Sequence, residues 1–88
     1  MKHQPSFSVY IVRCSDSTLY TGITTNIQRR INEHNNTNRG AKYTRSRRPV
    51  VLAYSCLIGN RSEALKEEYR IKKLSKIQKN NLISLTNN

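Results

Sequence analysis

The sequence has little that would tie it to an oxidising compartment or a membrane. Its two cysteines, Cys14 and Cys56, are too few for a disulfide framework, and their spacing matches no CxxC pair or zinc-binding quartet. No apolar run is long enough to span a bilayer, and the first residues do not resemble a signal peptide. We therefore expect a soluble, cytoplasmic protein with reduced, buried thiols, in which residues 1–88 form one domain.

Acidic residues are also scarce. The chain has 5 Asp and Glu against 16 Lys and Arg, which gives a formal charge of +11 at pH 7. A charge of this size attracts polyanions, and nucleic acid is the commonest such partner inside cells. The basic residues are not gathered on one helix opposite an apolar face, so a membrane surface is not expected as a partner.

Hydrophobic periodicity predicts an α+β domain with the element order β-β-α-β-α-α. Three positions have the residues that commonly start helices. Thr25 and Ser75 are each followed three residues later by a glutamine, which is the spacing of a capping box, and Ser62 is a predicted N-cap. The most apolar run, 50–58, is expected to be the central strand, buried on both faces. The predicted strands cover 7–14, 19–23 and 50–58, and the predicted helices cover 26–35, 63–74 and 76–85.

Several polar side chains are candidates for one shared site, although Tyr10 and Tyr20 taken singly are better explained as ordinary cross-strand aromatic residues. Tyr10 and Tyr20 lie on adjacent antiparallel strands and can approach one region. Arg30 and His34 are one helical turn apart, beside the apolar stripe of the first helix. Glu68 projects within the apolar arc of the helix 63–74, although a surface ion pair with a lysine remains the alternative for this carboxylate.

The segment 36–49 is rich in arginine and reads as a basic loop. Positive charge follows phosphates and Tyr43 could stack on a base, which is typical of sequence-tolerant binding. A solvated loop that keeps the protein in solution is the alternative. The candidate nucleic-acid-binding residues are Lys42, Tyr43, Arg45, Arg47 and Arg48, with Lys72 from the later helix.

The ordered set of these motifs resembles the GIY-YIG nuclease superfamily, and in particular its small stand-alone bacterial members. The resemblance extends over about residues 7–83. Val9 and Thr21 depart from the usual triplets, whereas both tyrosines and Gly22 are kept. The motifs that carry it are 9–11 (VYI), 20–22 (YTG), 29–31 (RRI) with His34, 40–44 (GAKYT) and Glu68 before 71–74 (IKKL).

The resemblance implies a three-stranded antiparallel sheet flanked by helices, and it implies roles for individual residues. Tyr10 would deprotonate or orient the attacking water, Tyr20 would assist it, and Arg30 would hold the scissile phosphate. Glu68 would bind a single Mg²⁺ or Mn²⁺, since Mg²⁺ keeps several waters and accepts substrate phosphate as a ligand. His34 is either a rival base or a packing histidine.

The sequence as a whole predicts a metal-dependent endonuclease that hydrolyses DNA and selects structure or strand state rather than sequence. DNA is favoured over RNA, and a homodimer or a protein partner stays open. The main alternative is a nucleic-acid-binding module, for DNA or RNA, that is catalytically idle or depends on a partner. A third interpretation is a ribosome-associated protein that holds RNA through its charge.

Overall fold

The computed structural model describes residues 5–86 and has the predicted architecture of an antiparallel sheet with flanking helices. One short helix is added in the segment that was expected to be loop. None of the helices in this range is long and apolar enough to cross a bilayer. The elements in chain order are β1 (Phe7–Arg13), β2 (Leu19–Thr24), α1 (Ile27–Asn36), α2 (Lys42–Arg45), β3 (Val51–Gly59), α3 (Arg61–Lys72) and α4 (Lys76–Thr86).

The sheet has the strand order β2-β1-β3, so β1 is the central strand. The expectation that 50–58 would be central is wrong, because β3 pairs only with β1 and forms an edge. Its apolar side chains at Val51 and Leu57 are exposed. In β1, by contrast, the side chains at positions 9–12 are all buried, because helices cover both faces of this strand.

Two small cores lie on opposite faces of the sheet. The core on the α3 side is formed by Val9 and Ile11 of β1 with Ile71 and Ile83 of the last two helices. The core on the α1 side contains Tyr10 and Val12, with Ile27 and Ile31 of α1 packed against it. Successive residues of a strand point to opposite faces, so Tyr10 belongs to the α1 side.

The helix starts explain why α1 and α3 differ slightly from the predicted ranges. Asn26, rather than Thr25, caps α1 by accepting a hydrogen bond from the Arg29 amide at 3.0 Å. Asn60, rather than Ser62, caps α3 in a reciprocal capping box with Glu63. Asparagine is at least as good a cap as threonine or serine, and in both cases it stands at the position where the strand geometry ends.

The two cysteines are free, and their surroundings differ. Cys14 is buried in the core on the α1 side, as expected. Cys56 is exposed, because it lies on the edge strand β3. The expectation that both thiols would be buried is therefore wrong for Cys56.

Candidate active site

The fold brings Tyr10, Tyr20, Arg30 and His34 together on the α1 side of the sheet. The Tyr10 hydroxyl lies 2.8 Å from Nε2 of His34, and Nε of Arg30 donates to the same hydroxyl at 3.4 Å. The ring of Tyr20 meets the His34 ring edge-on, with 5.5 Å between centroids. Residues from two strands and one helix, separated by up to 24 positions in sequence, thus share one site.

Gly22 provides the space in which the Tyr10 hydroxyl lies. The two residues are directly opposite each other on neighbouring strands, β1 and β2. A Cβ atom at position 22 would stand 2.6 Å from the Tyr10 hydroxyl oxygen, which is closer than such atoms approach. Glycine is therefore required here for a close approach of side chain to backbone, and it takes no part in the chemistry.

His34 is fully buried, with both ring nitrogens engaged. Its Nδ1 lies 2.9 Å from the hydroxyl of Thr44, and that hydroxyl donates to the carbonyl of Ala41 at 3.0 Å. Thr44 therefore accepts from Nδ1–H, because its one hydrogen is already used. The Ala41 amide also faces Nδ1, but at 3.4 Å it is the weaker contact. Nε2 is left as the acceptor for the Tyr10 hydroxyl.

Thr44 is a site residue that sequence reasoning did not single out. It lies on the one-turn helix α2 and is fully buried, although its neighbours Lys42, Tyr43 and Arg45 are exposed. A lone threonine within a basic stretch carries no periodic signal, and the only hint was its place in the GAKYT motif. Its contact with His34 depends on α2 turning back onto α1.

Burial fixes the protonation states of the hydrogen-bonded pair. It raises the pKa of Tyr10 to about 12, against a smaller lowering by the Arg30 guanidinium. It also lowers the pKa of His34 to about 4, and the positive charge of Arg30 adds to this effect. At neutral pH the pair is thus a neutral phenol donating to a neutral imidazole.

Arg30 is held in place on one side of this pair. Its Nη1 donates to the Glu33 carboxylate at 3.0 Å and to the Arg39 carbonyl at 2.9 Å. Its charge also lowers the pKa of Tyr20, although burial has the larger and opposite effect. The half-buried guanidinium therefore stands next to both tyrosine hydroxyls, where an anion would meet it.

Glu68 lies on α3, and its charge acts on the site. After burial, its negative charge is among the causes that raise the pKa of both Tyr10 and Tyr20. The ion pair with a lysine that the sequence allowed for Glu68 is present, with Lys72 at 3.8 Å. This pair is longer than that of the neighbouring Glu67 with Arg70, at 2.6 and 2.8 Å, so Glu68 is the less firmly paired of the two carboxylates.

A metal bound here would not be enclosed by a full set of protein ligands. Residues 5–86 contain no group of three His, Cys, Asp or Glu side chains that could hold a metal ion. A single carboxylate is a poor site for zinc but suits Mg²⁺, which is commonly held by one or two carboxylates, several waters and a substrate phosphate. The donor set therefore fits a hard cation that binds together with its substrate.

Much of the basic segment is engaged within the protein. Arg48 donates to the carbonyls of His34 and Thr37. Arg45 donates to the carbonyl of Asn38, and Arg47 binds Asp16 at 3.0 Å. These contacts hold the segment around the site, and of the predicted basic contacts Lys42, Arg45 and Lys72 are exposed.

Tyr43 has a different environment from the one expected. The Arg47 guanidinium lies 3.9 Å from the centroid of its ring, and the ring also stacks on Tyr20, with 5.9 Å between centroids. A base that stacked on Tyr43 would have to share the ring with these two neighbours. The ring instead extends the aromatic contacts of Tyr20 and His34 to the surface.

The sequence is similar to a known protein family and to individual proteins of bacteria. A family model described as the GIY-YIG catalytic domain matches residues 6–81. A UPF0213 protein of Desulfotalea psychrophila is 60% identical over 80 residues, which cover 91% of this chain and 73% of that protein. A UPF0213 protein of Staphylococcus haemolyticus is 53% identical over 75 residues, covering 85% of this chain and 90% of the relative.

Solved structures share the fold. The solution NMR structure of a UPF0213 protein from Bacillus halodurans is 42% identical with a TM-score of 0.58, and the match covers 91% of this chain and 84% of that one. A solution NMR structure of a protein from E. faecalis is 38% identical with a TM-score of 0.62, covering 100% and 94% of the two chains.

Proposed function

This chain belongs to the GIY-YIG family, a family of nucleases, and from that premise we propose that it is a metal-dependent endonuclease hydrolysing phosphodiester bonds in DNA. The observation that carries the proposal is the hydrogen bond of 2.8 Å between Tyr10 and His34. It joins a proton donor to a neutral acceptor, with a fixed cation and a carboxylate beside them.

In the proposed reaction, Tyr10 and His34 activate the attacking water together. The water gives a proton to the Tyr10 oxygen while the Tyr10 proton passes to Nε2 of His34, and the resulting hydroxide attacks phosphorus. The bond from phosphorus to the leaving oxygen then breaks, the leaving oxygen takes up a proton from solvent, and His34 releases the proton it received to solvent. This route avoids a free phenolate, which a pKa of about 12 makes rare at neutral pH.

Arg30 and Tyr20 hold the reacting phosphate in this scheme. The guanidinium stabilises the negative charge that grows on the non-bridging oxygens, and its bonds to Glu33 and Arg39 remove the need to reorganise during the reaction. Tyr20 is more exposed than Tyr10 and donates to the phosphate or to the water. Both residues act on the substrate directly.

Glu68 is proposed to hold one Mg²⁺ or Mn²⁺. Such an ion would polarise the phosphate and help to activate water when substrate is present. Lys72 leaves Glu68 readily, because an exposed ion pair of 3.8 Å is weak. The long ion pair therefore keeps the carboxylate accessible to a cation.

We propose that the protein selects DNA by its shape or by whether it is single- or double-stranded, rather than by its base sequence. We also propose that it acts in the cytoplasm. Arg45, Arg47 and Arg48 each donate to a group of this chain, which restricts how far their guanidinium groups can reach towards base edges.

We propose that residues 1–88 form one domain with one active site. Cutting both strands of a duplex would therefore need two successive nicks, a second copy of the chain or a protein partner.

A nucleic-acid-binding module without catalysis is the second candidate. It is favoured by burial, since Tyr10 is 1% exposed and His34 0% exposed. In this alternative, the pair only packs the core, and the charge of +11 holds DNA or RNA. Binding would then not depend on Tyr10 or Glu68.

Cleavage assays with two neighbouring glutamates separate these candidates. Labelled single-stranded, nicked, branched and duplex DNA, and RNA, are incubated with Mg²⁺ or Mn²⁺ and the native chain, Glu68→Gln or Glu67→Gln. The proposal predicts metal-dependent products that persist in Glu67→Gln and disappear in Glu68→Gln, with binding retained. Equal activity of both variants, or tight binding without any cleavage, would support the binding module.

A further inference from the structure

Tyr69 is an exposed aromatic residue that the proposed reaction does not use. It lies on α3 and is 63% exposed. The Nζ atom of Lys73 lies 4.3 Å from the ring centroid, and no other ring or cation among residues 5–86 covers the ring. An open groove runs along this side of α3, lined by Arg61, Ser62, Leu65, Lys66 and Tyr69.

Charge on α3 is segregated around the helix axis. At 100° per residue, Arg61, Lys72, Leu65, Tyr69, Lys73 and Lys66 fall within an arc of about 140°, here called the α3 strip. The three glutamates of the helix lie outside this arc. Glu63 caps the helix, Glu67 binds Arg70, and the charge of Glu68 acts on the site. The strip thus offers four cations and an aromatic ring without a carboxylate.

The α3 strip includes the lysine that contacts Glu68. Lys72 is this member, with 3.8 Å between its Nζ and the Glu68 carboxylate. Tyr69 lies about 60° further around the helix axis and about 4.5 Å nearer the start of the helix. A strand of nucleic acid leaving Glu68 would therefore meet Lys72 first and the ring of Tyr69 next.

We propose that the α3 strip binds an unpaired strand of nucleic acid that extends from the site. One base stacks on Tyr69, and the phosphates on either side approach Lys72 and Lys66. A single strand fits better than a duplex, because only an unpaired base can present its face to a protein ring. The link to cleavage rests on the proposed function, whereas binding to the strip does not.

The test is binding of an oligothymidylate of about ten nucleotides, followed by fluorescence anisotropy at fixed salt. Tyr69→Ala should weaken binding by about 5- to 100-fold, and Tyr69→Phe should keep it, because the ring face is retained. Ile77→Ala is the control, since Ile77 on α4 is 74% exposed and lies outside the strip. Blunt duplex DNA should bind all four proteins alike.

Three results would overturn the inference. The first is that Tyr69→Ala binds oligothymidylate as tightly as the native chain, and the second is that Tyr69→Ala weakens binding of blunt duplex to the same extent. The third is that polyglutamate binds more tightly than oligothymidylate and depends on Tyr69, which would indicate an acidic protein partner. Thermal melting of each variant checks its folding, and the exposed ring makes a large change unexpected. If no protein cuts any substrate, the proposed nuclease function fails while the binding result still decides the role of the strip.

Discussion

Replacing Thr44 with valine is the sharpest perturbation of the site that leaves Tyr10 and His34 in place. The substitution keeps the shape of the side chain and removes the hydroxyl that accepts from His34 Nδ1 at 2.9 Å. The Nδ1–H group then has no acceptor in a fully buried position. A buried donor without a partner costs about 1–3 kcal/mol. If the ring keeps this tautomer, we expect the free energy of unfolding to fall by that amount.

The His34 ring has a second tautomer in which the buried Nδ1–H group, and with it the cost of leaving this donor without an acceptor, is removed. The proton can move to Nε2, so that Nδ1 accepts from the Ala41 amide at 3.4 Å. Nε2 then no longer accepts from Tyr10, and the proposed proton transfer is blocked. The rate of cleavage should fall by about 10² or more, which is the usual contribution of a general base.

Three measurements on Thr44→Val and Thr44→Ser check the reasoning. Urea denaturation gives the stability, the cleavage assay gives the rate, and ¹⁵N chemical shifts of the imidazole report which ring nitrogen carries the proton. Replacing His3 identifies the His34 signals. Serine keeps the hydroxyl and should preserve the rate and the ring tautomer, while the loss of one buried methyl group lowers the stability by about 1 kcal/mol. A valine variant with native stability and the native ring tautomer would refute the assignment of Thr44 as the acceptor.

Three further predictions concern the same pair. Gly22→Ala places a Cβ 2.6 Å from the Tyr10 hydroxyl oxygen and should lower stability by about 1–3 kcal/mol and reduce cleavage, as seen by urea denaturation and product formation. The pKa of His34 is about 4 in the folded chain, against about 6.5 for an ordinary histidine such as that of the unfolded chain. The neutral ring therefore contributes stability that is fully present above pH 6.5 and is lost as the pH falls towards 4. Urea denaturation across this window should show a steeper loss for the native chain than for His34→Gln, and parallel curves would contradict it. If His34 receives the proton, the cleavage rate should vary little between about pH 6 and pH 9. If a Tyr10 phenolate assists the attack instead, its pKa of about 12 predicts that the rate rises tenfold per pH unit over this range.

Local patterns in the sequence predict most of the strands and helices, because the ends and the buried faces of these elements depend on residues close together in the chain. The two-residue period around Val9 and Ile11 sets β1, and the predicted ranges of the helices differ from the observed ones by no more than two residues. The capping box at Ser75 is confirmed, with its hydroxyl accepting from the Gln78 amide at 3.1 Å. The caps of α1 and α3 are displaced because two good capping residues stand close together at each start.

The order of strands could not be predicted in this way. The apolar run 50–58 resembles a buried central strand, but which strand is central depends on where the helices pack. Here helices cover both faces of β1, and β3 takes an edge with exposed apolar side chains. Hydrophobicity records a tendency to be buried and contains no information about the number of neighbouring strands.

The candidate site was predictable as a set of residues but not as a network. The order of motifs pointed to Tyr10, Arg30, His34 and Glu68, since each is part of a recurrent pattern. The role of Thr44 depends on how α2 folds back, and this is a tertiary property without a local signal. The stacking of Tyr43 on Tyr20 likewise joins residues of two separate elements.

The burial of Tyr10 and His34 also bears on how such a site changes over evolutionary time. The two side chains fill the core on the α1 side while they form the proposed catalytic pair. A descendant that no longer needed the chemistry would lose stability by replacing either one, because the remaining partner would be buried with an unsatisfied polar group. Selection for folding alone therefore retains this tyrosine and this histidine, and their retention in a sequence marks an intact core as much as a working enzyme.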